Sequence, residues 1–174
     1  MNRPAVMLAR IQTPVGPLVI GATDDAVCLL EFSDRRTLEH QMESLRRRLG
    51  ADIVPGTNRR LEALEAQLRE YFAGKRRAFD LPLRHPGTPF QEKVWAALLA
   101  IPYGTTCSYK DIAQNIGSPE AVRAVGTANG LNRIAIVIPC HRVVNASGDL
   151  GGYGGGLERK RLLLDLEQGQ RRLL

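Results

Sequence analysis

The residues with the clearest chemical potential are Cys140, His141 and Arg142, set side by side in the apolar run "IAIVIPCHRVV" over residues 134–144. A free thiol has a pKa of about 8.5, so only a few per cent is thiolate at neutral pH. An adjacent histidine can lower that pKa or accept the proton, and it does so best when a third group fixes its ring. The trio therefore reads as a thiol nucleophile beside its base, with the orienting group still to be found. The alternative is a buried cysteine acting as a small hydrophobe next to a hydrogen-bonded histidine. Adjacency alone does not separate the two, because neighbouring side chains often point apart.

The rest of the chain limits the other chemistries. There are three cysteines, an odd number with no C-x-x-C spacing, which argues against a disulfide framework and a Cys-rich zinc site. His40 and His85 stand alone, away from metal-ligand spacing to Cys28 or Cys107, and read as surface or partly packed histidines. The glycine cluster over residues 151–156 matches neither the Walker pattern nor the dinucleotide fingerprint, so no nucleotide cofactor is expected. A formal charge of +6 and a pI near 9.6 point toward a polyanionic partner, nucleic acid first.

These residues need elements to hold them. With 174 residues, 44% hydrophobic and 24% charged, the chain suits one globular domain or two small ones. Its apolar runs are far too short to cross a bilayer, and Arg10 interrupts the N-terminal one, so a cytoplasmic location without membrane contact is expected. The stretch "MLARIQTPVGPLVIGATDDAVCLLEF" alternates apolar runs with turn residues, predicting two hairpins and a small antiparallel sheet. Amphipathic helices follow at 38–49 and 59–72, the second carrying Leu61, Leu64, Leu68 and Tyr71 and closing at Gly74. A Pro/Gly-rich stretch around His85 then predicts a division into domains 1–85 and 86–174.

The second half is punctuated by helix caps. Thr88 and Gln91 form a capping box with proline at the first helical position, and the helix carries Val94, Trp95, Leu98 and Leu99. Ser108 with Asp111 opens a short helix ended by Gly117, and Ser118-Pro119-Glu120 is expected to cap a third helix reaching about Asn129. Helix, glycine turn, helix is the helix-turn-helix arrangement. The second helix of that pair is small-sided, with Ala124 and Gly126, and Arg123 is its only cation. Such a helix suits close approach either to a nucleic-acid groove or to another helix. A final helix carries Arg159, Lys160 and Arg161.

Five segments taken together carry a resemblance: "TPFQEKVWAAL", "IPYGTTCSYKDIA", "AVRAVGTANGLN", "IPCHRVV" and "GGYGGGLERKRLLLDLE". In this order they resemble the O6-alkylguanine-DNA alkyltransferases and cover nearly everything from Thr88 onward; "TPVGPL" and "LREYFAG" extend the match loosely toward the N-terminus. The resemblance implies an α+β fold. It has a small ribonuclease-H-like N-terminal domain and a mainly helical C-terminal domain with a winged helix-turn-helix. It also implies direct-reversal DNA repair: O6-alkylguanine, with O4-alkylthymine as a second lesion, is flipped from duplex DNA. Its alkyl group then passes irreversibly to a cysteine in a single turnover by a monomeric protein without metal or cofactor.

Matched position by position, the resemblance makes Cys140 the alkyl acceptor, His141 its activator through a water, and Glu167 the carboxylate that orients His141. Asn132 would brace the active-site turn, and Tyr109 would help rotate the nucleotide and donate to the guanine ring. Arg123 would fill the vacated place in the duplex, with Ala124, Gly126 and Asn129 also on the DNA-binding helix. Val143, Tyr153 and Gly154 would line the guanine pocket, and the run before Cys140 would be a buried strand-like approach. Gly154 stands where some members carry serine, which implies a roomier pocket. The N-terminal zinc ligands of some members are not visible, and Arg142 is expected to be a structural anchor. Three other readings remain: a lesion-binding module without transfer, a thiol hydrolase, and a DNA-binding regulator. The first lacks the acceptor cysteine in the family's pattern; the second predicts turnover; the third leaves Glu167, Asn132 and Tyr109 unused.

Overall fold

The computed structural model describes residues 3–169. Chain contacts divide it into two compact units, with the division between Pro86 and Gly87.

In the first unit, strands β1 (Ala5–Ile11), β2 (Leu18–Ala22) and β3 (Val27–Phe32) form the two expected hairpins. Every residue of β2 and β3 is buried, so both faces of the sheet are covered. Helix α1 (Leu38–Leu49) supplies Leu38 and Leu45 to a core with Val6, Val19, Cys28 and Leu29. Helix α2 (Arg59–Phe72) buries Leu61, Leu64, Leu68, Tyr71 and Phe72. Its N-cap Asn58 accepts from the backbone N–H groups of Arg60 and Leu61 while donating to the carbonyls of Ala22 and Thr23, which ties the helix to the sheet. A fourth strand, β4 (Asp52–Pro55), joins the edge in parallel with β1 and gives the order β3-β2-β1-β4. The sequence offered no sign of it: only Ile53 and Val54 are apolar there, and edge burial asks for no more. Cys28 is fully buried, a small hydrophobe in this core.

In the second unit, α3 (Pro89–Leu99) starts at the predicted capping box: Thr88 Oγ1 accepts from Gln91 N–H and Gln91 Oε1 from Thr88 N–H. Trp95 is buried, and its Nε1–H donates to the Ala128 carbonyl at 2.9 Å, fastening α3 to the helix that holds Ala128. A Cβ on Gly87 would lie 2.6 Å from the Trp95 ring, so this position has room for no side chain. The two-residue strand β5 (Cys107–Ser108) leads into α4 (Tyr109–Asn115), which has the second capping box. Gly117, at φ +79°, makes the turn toward α5 (Val122–Gly130).

That helix begins later than its sequence suggests. Ser118 does not cap it; the Ser118 carbonyl accepts from Ala121 N–H, spending residues 118–121 on a turn, and Ala121 occupies the N-cap without a side-chain bond. Strand β6 (Val143–Val144) pairs in parallel with β5, and α6 (Leu157–Glu167) completes the unit. Among the described residues no helix is long and apolar enough to cross a membrane, and no cluster of three or more His, Cys, Asp or Glu could hold a metal ion.

Candidate active site

Residues 134–138 are buried, as their composition demands, yet they do not form the expected strand-like approach. They turn repeatedly. Ile138 N–H bonds the Ile134 carbonyl, Val137 N–H bonds Ala135, and Cys140 N–H bonds Ile138. The i to i+2 bond over Ile136 is a γ-turn, and it leaves Ile136 at φ +71°, the one non-glycine residue in the left-handed region among those described. A β-branched residue there costs on the order of 1–3 kcal/mol and persists only where its surroundings over-determine it. Asn132 supplies that constraint. Its Oδ1 accepts from Ile134 N–H at 3.0 Å and its Nδ2 donates to the Ile138 carbonyl at 2.7 Å, bracketing the turn from both ends.

Beyond Pro139 the chain makes one turn of 3-10 helix, Cys140–Arg142. This turn resolves the opening trio. His141 is fully buried, and its Nε2 lies 2.7 Å from Glu167 Oε2. Arg142 Nε lies 2.7 Å from Glu167 Oε1, and its NH2 group 3.1 Å from Oε2. The third Arg142 bond goes to the Ile101 carbonyl at 2.7 Å, and its guanidinium lies 5.7 Å from the Tyr103 ring centroid. One carboxylate therefore serves both residues that follow Cys140. Burial alone would raise the Glu167 pKa, but the bonds and charges of His141 and Arg142 outweigh it and hold the carboxyl at about 2. An ionised Glu167 requires a proton on His141 Nε2. That leaves Nδ1, buried and without a protein hydrogen-bond partner, as the accepting nitrogen of the neutral ring.

Tyr109 opens α4 and is half-buried. A Cβ built on Gly151 would sit 3.2 Å from its ring and hydroxyl, so that glycine makes room for this side chain, whereas one on Gly126 of α5 would meet the ring at 3.9 Å, in ordinary contact. Its hydroxyl lies 3.5 Å from the Gly152 carbonyl. Burial and the nearby Cys140 raise its pKa, which keeps the phenol protonated and able to donate.

The remaining expected site residues divide by exposure. Arg123 and Ala124 are exposed on α5, with Gly126 half-buried behind them. Asn129 lies elsewhere: it is 5% exposed, and its Nδ2 reaches the Cys140 carbonyl at 3.4 Å, so it supports the reactive turn instead of facing solvent with Arg123. Val143 is fully buried at the start of β6, Tyr153 is half-buried, and Gly154 is exposed on the glycine loop.

Two residues escaped the sequence reading. Arg142, expected as an anchor, is also an ion-pair partner of Glu167. Lys160, given no role beyond being one of three cations on the final helix, is fully buried and points at three backbone carbonyls. A signal for Lys160 did exist, because Lys160, Leu163, Leu164 and Glu167 recur at i, i+3, i+4 and i+7, the spacing of one helix face.

Comparison with known proteins agrees with this geometry. Residues 89–169 match the family model described as 6-O-methylguanine DNA methyltransferase, DNA binding domain, and residues 6–85 match its ribonuclease-like domain. A methylated-DNA–protein-cysteine methyltransferase of Mycobacterium tuberculosis is 49% identical over 158 residues, covering 91% of this chain and 90% of the relative. One from Methanosarcina barkeri is 43% identical over 159 residues, covering 91% and 94%. The crystal structure of Mycobacterium tuberculosis OGT in complex with DNA superposes with a TM-score of 0.81 at 43% identity, covering 97% of this chain and 95% of that one. The chain belongs to the 6-O-methylguanine DNA methyltransferase family.

Proposed function

We propose that this protein repairs DNA by moving the alkyl group of O6-alkylguanine onto its own Cys140, once per molecule. The observation that carries this reading is the buried 2.7 Å contact between His141 Nε2 and Glu167 beside Cys140, within a chain of this family. Residues 86–174 bind DNA and carry the chemistry, and residues 1–85 support them. The protein acts as a monomer in the cytoplasm, on double-stranded DNA, without cofactor.

The site geometry supports a role for each residue in this reading. The helix pair α4–α5 docks on the duplex, and exposed Arg123 takes the place of the extruded nucleotide. Extrusion costs a few kcal/mol and least for a poorly paired base, so alkylated guanine is favoured. The base enters between Tyr109, Val143 and the glycine loop carrying Tyr153 and Gly154. The Cys140 proton passes to His141 Nδ1, directly or through one water, and the imidazolium is stabilised by the ionised Glu167. The thiolate attacks the alkyl carbon, forming the S–C bond as the C–O6 bond breaks. The electron pair goes to guanine, where the Tyr109 hydroxyl and backbone N–H groups of the loop meet the developing charge. Guanine then takes up the proton, and the thioether stays.

The test is to incubate the protein with duplex DNA containing O6-methylguanine and weigh its peptides. One methyl mass on the Cys140 peptide, at one equivalent per protein, is expected, and Cys140→Ala should bind DNA without transfer. Catalytic turnover, or a protein of unchanged mass, would overturn the proposal.

A further inference from the structure

The first unit carries a groove of about 640 Å³ between helix α1 and the edge of the sheet formed by β1 and β4. Leu8, Met42, Ile53 and Pro55 form its apolar floor, and the first three pack against the core beneath while staying partly exposed. Four charged side chains stand on its walls: Arg10 from β1, and Glu39, Glu43 and Arg46 from α1. Arg46 and Glu43 pair with each other at 2.8 Å. Glu39 lies in the first turn of α1, where the helix dipole favours a carboxylate. Arg10 is exposed, and its guanidinium has no partner among the described residues. The backbone is open at the same place. The Leu8 carbonyl accepts from Gly56 N–H, so Leu8 and Arg10 turn their main-chain polar groups toward the β4 side, and Ala9 and Ile11 turn theirs toward β2. Strand β4 ends its pairing with Pro55 opposite Leu8, which leaves the Arg10 N–H and C=O without a backbone partner on that edge.

We propose that this groove takes an extended peptide of a partner protein, which adds to the open edge of β1 at Arg10, sets a carboxylate against the Arg10 guanidinium and lays an apolar side chain over Leu8, Met42 and Ile53. Strand addition uses main-chain bonds for affinity and alternate side chains for specificity, and the groove offers both kinds of contact side by side. The peptide residue opposite Arg10 projects its side chain to the same face, about 5 Å away between Cβ atoms, which is the spacing of a cross-strand ion pair. Side chains on that face recur every second residue, so the peptide carries an acidic residue with an apolar one two positions away. The partner is thus acidic where it meets β1, because Arg10 is the one charge of the groove that neither a side chain nor a helix end already meets.

The test uses the full chain and the fluorescence anisotropy of a fluorescein-labelled peptide, Thr-Leu-Thr-Asp-Thr-Leu-Thr, which reads the same in both strand directions. Saturable binding below about 1 mM is expected. Exchanging the peptide's aspartate for lysine should weaken binding about fivefold, Arg10→Glu should do the same to the aspartate peptide, and the lysine peptide should recover most of the loss on Arg10→Glu. Methylating the backbone nitrogens of the aspartate and the threonine after it keeps every side chain and should weaken binding about tenfold. A charge that serves only to keep other strands off the edge predicts no saturable binding, and that result would overturn the inference. Affinity indifferent to backbone methylation, or to the sign of the charge on the peptide, would overturn it with wild type alone. If sedimentation shows wild type paired with itself and Arg10→Glu single, the groove belongs to a second copy of the chain and the proposal falls as well.

Discussion

Replacing Arg142 by methionine tests whether the reactive turn depends on a carboxylate shared by two side chains. The substitution removes two bonds to Glu167 and one to the Ile101 carbonyl, leaving Glu167 with a side chain 1% exposed and His141 as its partner. Breaking a buried pair from one side costs about 3–5 kcal/mol, because the surviving charge stays buried. The depressed pKa of Glu167 bounds the contribution from a second side. Its carboxyl sits at about 2, against 4.5 when unperturbed, and at about 1.4 kcal/mol per pH unit that gap is worth about 3 kcal/mol for His141 and Arg142 together, an upper bound for the ionic share of Arg142. The stranded Ile101 carbonyl adds to that share, so a loss of about 3 kcal/mol at pH 7 is expected. Trp95, the single tryptophan of the chain, lies buried in the second unit and reports on its unfolding. With an m-value of about 2 kcal/mol/M in urea, the fluorescence midpoint should fall by about 1.5 M.

The pH dependence gives the sign. A carboxyl whose pKa is depressed on folding stabilises the native state above its unfolded value, and that contribution is lost as pH falls from 4.5 toward 2. The gap between wild type and Arg142→Met should therefore shrink between pH 7 and about pH 3.5, by at most about 1.4 kcal/mol because His141 still holds part of the depression in the variant. A midpoint shift below about 0.3 M at pH 7, or a gap that does not change with pH, would refute the reasoning.

Other substitutions test separate parts of the site. Asn132→Ala should destabilise the second unit by about 2–3 kcal/mol, because it strands the Ile134 N–H and takes from the Ile138 carbonyl one of its two donors around a strained Ile136; Trp95 fluorescence during urea unfolding checks this. Gly104→Ala places a Cβ 3.1 Å from the Glu167 carbonyl oxygen at φ +78°, so a loss of about 1–2 kcal/mol and slower transfer are expected, and unchanged stability would contradict the geometry. Arg123→Ala should slow repair of duplex substrate while leaving the reaction of Cys140 with a small alkylating agent as in wild type. Equal duplex repair rates would remove its role in extrusion.

Much of this molecule was legible because local chemistry and tertiary context agree. Helices α1 and α2 have the bounds their apolar spacing gives, and the Thr88 and Ser108 capping boxes form as written. Prediction failed where a tertiary partner decides the backbone. Strand β4 exists because β1 offers it an edge, not because its four residues favour extension. The Ser118-Pro119-Glu120 stretch has the residue types of a cap, but its carbonyl bond to Ala121 makes a turn first. The resemblance implied a buried strand-like approach before Cys140, and the two bonds of Asn132, with the backbone bonds inside the turn, account for the folded-back path instead. Lys160 and the ion pair of Arg142 with Glu167 were hidden for another reason: charge in sequence suggests solvent, and the acceptors of these two side chains lie from 8 to 41 residues away along the chain.

The sharing of Glu167 also has a consequence in time. Synthesis runs from the N-terminus, and Glu167 follows His141 by 26 residues and Arg142 by 25. At about 5–20 residues per second, a nascent chain carries Cys140 for about 1–5 s before the carboxylate exists at all, and longer before α6 can fold back with it. Throughout that interval His141 has no anion to orient it, and the thiol is an ordinary one. On the function proposed above, a protein that reacts only once would in this way hold an unarmed thiol while on the ribosome, and the helix carrying Glu167 would arm it.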